Sequence, residues 1–110
     1  MAIPLNVFKT FTAELTTTED TVYTAPTGVT AIVLMAQVAN VSGAASKVTA
    51  LHVDGAVETE LVKDFAIGPD DSTSVTTGKL ILQAGQSIKA SAQGNEQLKI
   101  VLSVLETLDA

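Results

Sequence analysis

Turn signatures recur at short intervals along the whole chain: Pro26-Thr27-Gly28, Ser42-Gly43, Asp54-Gly55, Gly68-Pro69-Asp70-Asp71, Thr77-Gly78, Ala84-Gly85 and Gln93-Gly94-Asn95. The segments between them are rich in Val, Ile, Thr, Leu and Ala, and none reads as a long helix. Short β-prone segments closed by turns predict an all-β fold, a single antiparallel β-sandwich, jelly-roll-like, of about eight short strands. At 110 residues this is one domain, residues 1–110.

Asp54-Gly55 is the sharpest local signal. It separates Lys47–Val53 from Ala56–Val62, and such a pair supplies the positive φ values of a two-residue type I′ hairpin. On the arms Thr49, Leu51 and Val53 alternate with Val48, Ala50 and His52, and Leu61, Phe65 and Ile67 alternate with Glu60, Asp64 and Ala66. The longest apolar run, Ala31 to Val41, competes between helix and strand, and its β-branched residues with the preceding Gly28-Val29-Thr30 favour strand. Strict alternation would put Ile32, Leu34, Ala36 and Val38 on one face and Val33, Met35, Gln37 and Ala39 on the other.

The last segment behaves similarly. Leu98, Ile100, Leu102 and Val104 share a face while Val101 and Leu105 point the opposite way. A strand apolar on both faces needs cover on both, and in a small sandwich the core covers only one. At the N-terminus Ile3, Leu5, Val7, Phe11, Ala13 and Leu15 alternate with polar residues, so residues 1–11 form either an edge strand or an extended arm. The candidate partner interface is therefore Ile3, Leu5, Val7, Phe8, Phe11, Met35, Val101 and Leu105.

Composition narrows the function classes. With Phe8, Phe11, Tyr23 and Phe65 as the aromatics, the core must be built from small aliphatic side chains, and a thin core of that kind gains from association. The net charge is -6 and no two lysines are adjacent, which argues against nucleic acid and against anionic membrane surfaces as partners. The chain contains no cysteine, which removes disulfides, thiolate nucleophiles and zinc-thiolate sites. Met1 to Phe8 lacks the charged and apolar regions of a signal peptide, and the apolar run at Ala31 falls short of the ~18 to 20 residues of a membrane span.

No catalytic, cofactor or metal site assembles from spacing. His52 is the single histidine, and on a strand beside a turn it has no ligand or base partner at a diagnostic interval. Asp70-Asp71, with Asp54, Glu58 and Glu60, lacks the alternating acids of a calcium loop and follows Gly-Pro as an ordinary turn. The threonines and serines have no histidine beside them, and no spacing selects a pair of acids for glycoside hydrolysis. Tyr23 is expected in a core or interface rather than under a sugar ring. The chain is read as a non-enzyme.

Several stretches taken in order carry a resemblance: "TVYTAPTGVTAIV" from Thr21, "VANVSGAASKVTALHVDG" from Val38, "LVKDFAIGPDDSTSV" from Leu61, "LILQAGQSIKASAQ" from Leu80 and "LKIVLSVLE" from Leu98. Together they span a little under two-thirds of the chain. The sequence thereby resembles the small β-sandwich virion proteins of tailed bacteriophages, the capsid decoration or cement proteins and related neck and tail accessory proteins. In such proteins an acid usually follows the glycine of the Leu-x-x-Gly-x-x-Ile piece, where this chain has Gln86. The resemblance implies a homo-oligomer, a trimer above all, made in the host cytoplasm and held on the capsid surface or a head or tail junction by the major capsid or other virion proteins. It brings no catalytic residues. The alternative is a receptor- or carbohydrate-binding module on the same kind of particle, using the loops Gly68 to Thr73 and Gln93 to Glu96.

Overall fold

Alternating apolar residues in β-prone segments fold here into two antiparallel sheets. The computed structural model describes residues 6–76 and 78–108. The strands are β1 (Asn6–Glu14), β2 (Asp20–Thr24), β3 (Val29–Asn40), β4 (Ser46–Asp54), β5 (Val57–Ile67), β6 (Ser72–Ser74), β7 (Leu80–Leu82), β8 (Ser87–Ala92) and β9 (Leu98–Leu108). Sheet A has the order β1-β9-β3, with β6 and β7 both on the far side of β3; sheet B has the order β2-β8-β4-β5. The chain crosses between the sheets at every connection except the β4–β5 hairpin and the β6–β7 step, which is the double Greek-key wrap of a jelly roll. Among the described residues nine strands fill eight positions, because β6 pairs with Gln37–Ala39 and β7 with Ala31–Val33 along one border of β3. Among the described residues no helix is long and apolar enough to cross a membrane.

The core lies between the sheets. Sheet A contributes Leu98, Ile100, Leu102 and Val104 of β9 with Ala31, Val33, Ala36 and Val38 of β3; sheet B contributes Val48 and Ala50 of β4 with Ile88, Ala90 and Ala92 of β8. The β9 alternation is as expected. The β3 alternation is not, because its register with β9 steps from Val33↔Val104 to Met35↔Ser103 and leaves Leu34 as an extra residue. This bulge reverses the facing of the strand. Ala31 and Val33 point inward before it and Ala36, Val38 and Asn40 after it, so Ile32 does not share a face with Ala36 and Val38.

The hairpin between β4 and β5 forms one residue later than the sequence indicates. Asp54 ends β4 opposite Val57, and Gly55-Ala56 are the two turn residues. Gly55 has φ +60 whereas Ala56 is not among the residues of positive φ, which is the sign pattern of a type II′ turn rather than I′. Gly55→Ala is expected to lower the unfolding free energy by about 1 kcal/mol, read as a fall of the thermal midpoint of ~4–8 °C. Further along β5 the register with β4 shifts twice and Asp64 adopts φ 49, so the expected alternation fails and Phe65 is exposed.

Candidate functional site

The outer face of sheet A is built by the residues that alternate away from the core. Register places Phe8 opposite Leu105, Leu105 opposite Ile32, and Ile32 opposite Ile81, so four apolar side chains from β1, β9, β3 and β7 form one row across the sheet. The row is most exposed at its ends, with Phe8 at 74% and Ile81 at 58%, and Ile32 and Leu105 are more covered between them. The next row along the strands is Thr10, Ser103 and Met35, and the one after it Thr12, Val101, Gln37 and Ser74. The surface there is hollow, a concavity of about 530 Å³ lined by Thr12, Glu14, Gln37, Ala39, Lys99 and Val101. Gln37 Nε2 donates to Ser72 Oγ at its rim, 3.0 Å away.

Charge separates the two outer faces of the sandwich. Among the described residues that face outward on sheet A, Glu14 and Lys99 are the charged ones, and they lie opposite each other in register. Sheet B presents Lys47, Glu58, Glu60, Asp64 and Lys89 on its outer side. There Lys89 Nζ lies 3.3 Å from Glu58 Oε2, and the pair bridges from β8 to β5 across β4. Leu51 and Val53 lie beneath that bridge and are buried. Sheet B thus covers its outward apolar residues with its own long side chains, whereas sheet A leaves its row open.

The buried polar groups are engaged in holding the sandwich together. Tyr23 Oη donates to Glu106 Oε2 at 2.5 Å, linking β2 of sheet B to β9 of sheet A. Lys9 Nζ, from β1, lies 2.9 Å from Glu106 Oε1. Burial pushes the Tyr23 phenol far above its ordinary range, and its hydrogen bond to Glu106 and the nearby negative charge add to the shift. For Glu106 the largest influence, burial, acts upward, but the hydrogen bonds from Tyr23 and Lys9 and the lysine charge outweigh it and hold the carboxyl below its ordinary value. Every member of this cluster has a partner within it. Its ionisable atoms face one another and not a cleft.

Other candidates resolve into local structure. His52 Nε2 lies 3.3 Å from Gln86 Oε1, and the same oxygen accepts from the Gln83 N–H at 2.9 Å. The amide of Gln86 therefore makes a turn-closing contact open to an acid at that position. Asp71 Oδ1 accepts from the Ser72 N–H at 2.8 Å, an Asp closing its own turn. Among the described residues no group of three or more His, Cys, Asp or Glu side chains could hold a metal ion.

Of the residues proposed from sequence as a partner surface, Phe8, Met35, Val101 and Leu105 come together on the outer face of sheet A. Val7 and Phe11 lie on the opposite face of β1, and the Phe11 ring packs against Tyr23 with 4.8 Å between centroids. Ile3 and Leu5 lie outside the described residues. Sequence reasoning missed Ile32, Ile81 and the hollow. Ile32 was hidden by the bulge, and Ile81 sits in a three-residue strand too short to show a period.

No protein-family model matches the sequence, and no curated protein matches it. Solved structures of similar fold include a chain of the disulfide-linked pili of Bacillus endospore appendages, at a TM-score of 0.60 and 10% identity over 96% of this chain and 88% of that one. A chain of the acid-stable capsid of the Helicobacter pylori bacteriophage KHP30 follows, with a TM-score of 0.57 and 13% identity over 97% and 90%. The nucleoplasmin-like N-terminal domain of Drosophila FKBP39 has a TM-score of 0.53 and 14% identity over 100% and 98%. At these identities the likeness is one of fold, shared by a phage capsid chain, a pilus chain and a nucleoplasmin-like domain.

Proposed function

We propose that the chain is a structural subunit of a bacteriophage particle, a capsid decoration or cement subunit that acts by binding and not by catalysis. The observation that carries this is the open, charge-poor outer face of sheet A with its row Phe8, Leu105, Ile32 and Ile81. Depletion of charge around exposed apolar and aromatic side chains is the compositional mark of an interface core. The resemblance of the sequence to phage virion proteins supports the same reading, as does the occurrence of the fold in a phage capsid chain. The resemblance adds homo-oligomerisation, a place at shell junctions and the major capsid protein as partner.

Each 100 Å² of apolar surface buried contributes about 2.5 kcal/mol before the costs of association. Repeated over many copies on one shell, even a modest contact raises the work of opening it. The carbohydrate-binding alternative gains nothing from the structure, since the loops Gly68 to Thr73 and Gln93 to Glu96 contain no aromatic residue. Co-sedimentation of the purified protein with intact particles tests the proposal. The expected result is saturation at a fixed ratio to the shell subunit, with Phe8→Asp weakening binding at least tenfold. Particles that carry none of the protein would overturn it.

A further inference from the structure

We infer that two copies of this chain pair face to face through sheet A, the row of one copy seated in the hollow of the other. The inference rests on the reading of that face as an assembly surface and names its occupant, a second copy.

Three observations point to a second copy. The first is shape. The row Phe8, Leu105, Ile32 and Ile81 and the hollow around Val101 and Gln37 lie on the same side of one sheet, separated by the row Thr10, Ser103 and Met35. A partner that receives the row in its hollow faces the first copy, and when it is turned end over end along the strand direction it also offers its own row to the first copy's hollow. That is an isologous contact, with a twofold axis in the interface plane running across the strands along Thr10, Ser103 and Met35. Leu105 then lies over Val101 of the partner copy, and Phe8 over Thr12 of the partner copy.

The second observation is charge. The chain carries a net charge of -6, so two copies repel through most of their surface. On this face Glu14 and Lys99 sum to zero, whereas on the outer side of sheet B Glu58, Glu60 and Asp64 outnumber Lys47 and Lys89. Like-charged copies can therefore approach through sheet A more cheaply than through sheet B. The third is area. Four strands of about nine residues, at ~4.8 Å spacing and ~3.4 Å rise, make a face of about 600 Å² in projection. A corrugated surface of that projection approaches the ~800 Å² that each partner of a standard-size interface buries.

The absence of cysteine makes the geometry directly testable, because any introduced thiol is unique. With the axis along its row, Thr10 of one copy faces Thr10 of the partner copy. Facing sheets are ~10 Å apart, too far for a disulfide between face-on cysteines but within reach of a short bis-maleimide. T10C is expected to be trapped as a covalent dimer, and S91C, on the outer face of sheet B, to stay monomeric under the same treatment. Sedimentation equilibrium should show a dimer whose dissociation constant rises at least tenfold in Phe8→Asp. Because Phe8 is exposed, that variant should keep the wild-type thermal midpoint when both are measured at a dilution where each is monomeric, which separates lost pairing from lost folding. A monomer at millimolar concentration, a trimer, or a dimer that T10C does not trap overturns the inference. If pairing fails while Phe8→Asp still abolishes sedimentation with particles, the face meets the shell and the cement reading stands. If pairing holds and wild-type protein ignores particles, the cement reading falls alone.

Discussion

Glu106→Ala is expected to lower the unfolding free energy at pH 7 by about 3 kcal/mol, a fall of more than ~10 °C in the thermal midpoint for a domain of this size. Glu106 is 7% exposed and joins three strands: its own β9, β1 through Lys9, and β2 of the opposite sheet through Tyr23. Truncation leaves the buried Tyr23 hydroxyl without an acceptor, and a stranded buried donor accounts for most of the loss. Lys9 contributes less, because its half-exposed ammonium turns to water. Glu106→Gln keeps an acceptor for Tyr23 and should cost about 1 kcal/mol.

The network also sets a pH dependence of definite sign. The folded carboxyl of Glu106 titrates below its ordinary 4.5, so its contribution is present above that value and is lost as the pH falls through the lower folded one. Tyr23 is the opposite case. Its folded phenol titrates above the ordinary 10.0, so its contribution is complete below pH 10 and disappears as the solution becomes more alkaline. Urea unfolding across pH should show the gap between wild type and Glu106→Gln closing at the acid end. The alkaline loss should be smaller in Tyr23→Phe. A gap independent of pH would mean that the carboxylate is not titrating in the folded state as described.

Asn40→Ala is the second large effect, about 2–3 kcal/mol. Asn40 closes β3 and is buried, and its side chain uses both ends. Nδ2 donates to the carbonyls of Ala44 and Ile67 at 2.8 and 2.9 Å, while Oδ1 accepts from the Ser42 N–H at 2.9 Å and from Ser42 Oγ at 2.7 Å. One amide thereby fixes the loop after β3 and ties sheet A to the end of β5 in sheet B. Asn40→Asp is the informative control. It has the same shape but cannot donate to the two carbonyls, and it sets a carboxylate against them. It should destabilise at least as much as alanine at pH 7 and less at pH 3. Equal unfolding curves for Asn40→Asp and wild type would show that the two donated bonds contribute nothing.

The sandwich was legible because β9 keeps its period for its whole length, and the same parity contains the two polar residues that sequence reasoning overlooked. Leu98, Ile100, Leu102 and Val104 continue inward to Glu106, and Ala36 and Val38 continue to Asn40. A charged or amide residue on an apolar parity is a signal that it will be buried with partners. Where parity itself failed, no residue type announced it. The bulge at Leu34 falls within a run of Val, Leu and Met with no glycine to mark it, and the paired strand, not the local sequence, decides where the extra residue goes. The same limit applied to the candidate surface. Phe8, Met35, Val101 and Leu105 were visible as apolar residues on a polar parity, but the row to which Phe8 and Leu105 belong depends on β7, whose neighbour is set by the wrap of the chain.

The borders of sheet A have a consequence for how such a molecule multiplies. On one side the chain offers two three-residue pieces, β6 and β7, in place of a continuous ribbon. On the other, β1 carries a lysine turned toward the interior and tethered there. Neither rim is a good template for a stranger's backbone, so end-on-end ribbon growth into fibrils is discouraged at both. The pairing inferred through the broad flank of sheet A differs in kind, since its contact saturates after one partner and the assembly closes instead of running on.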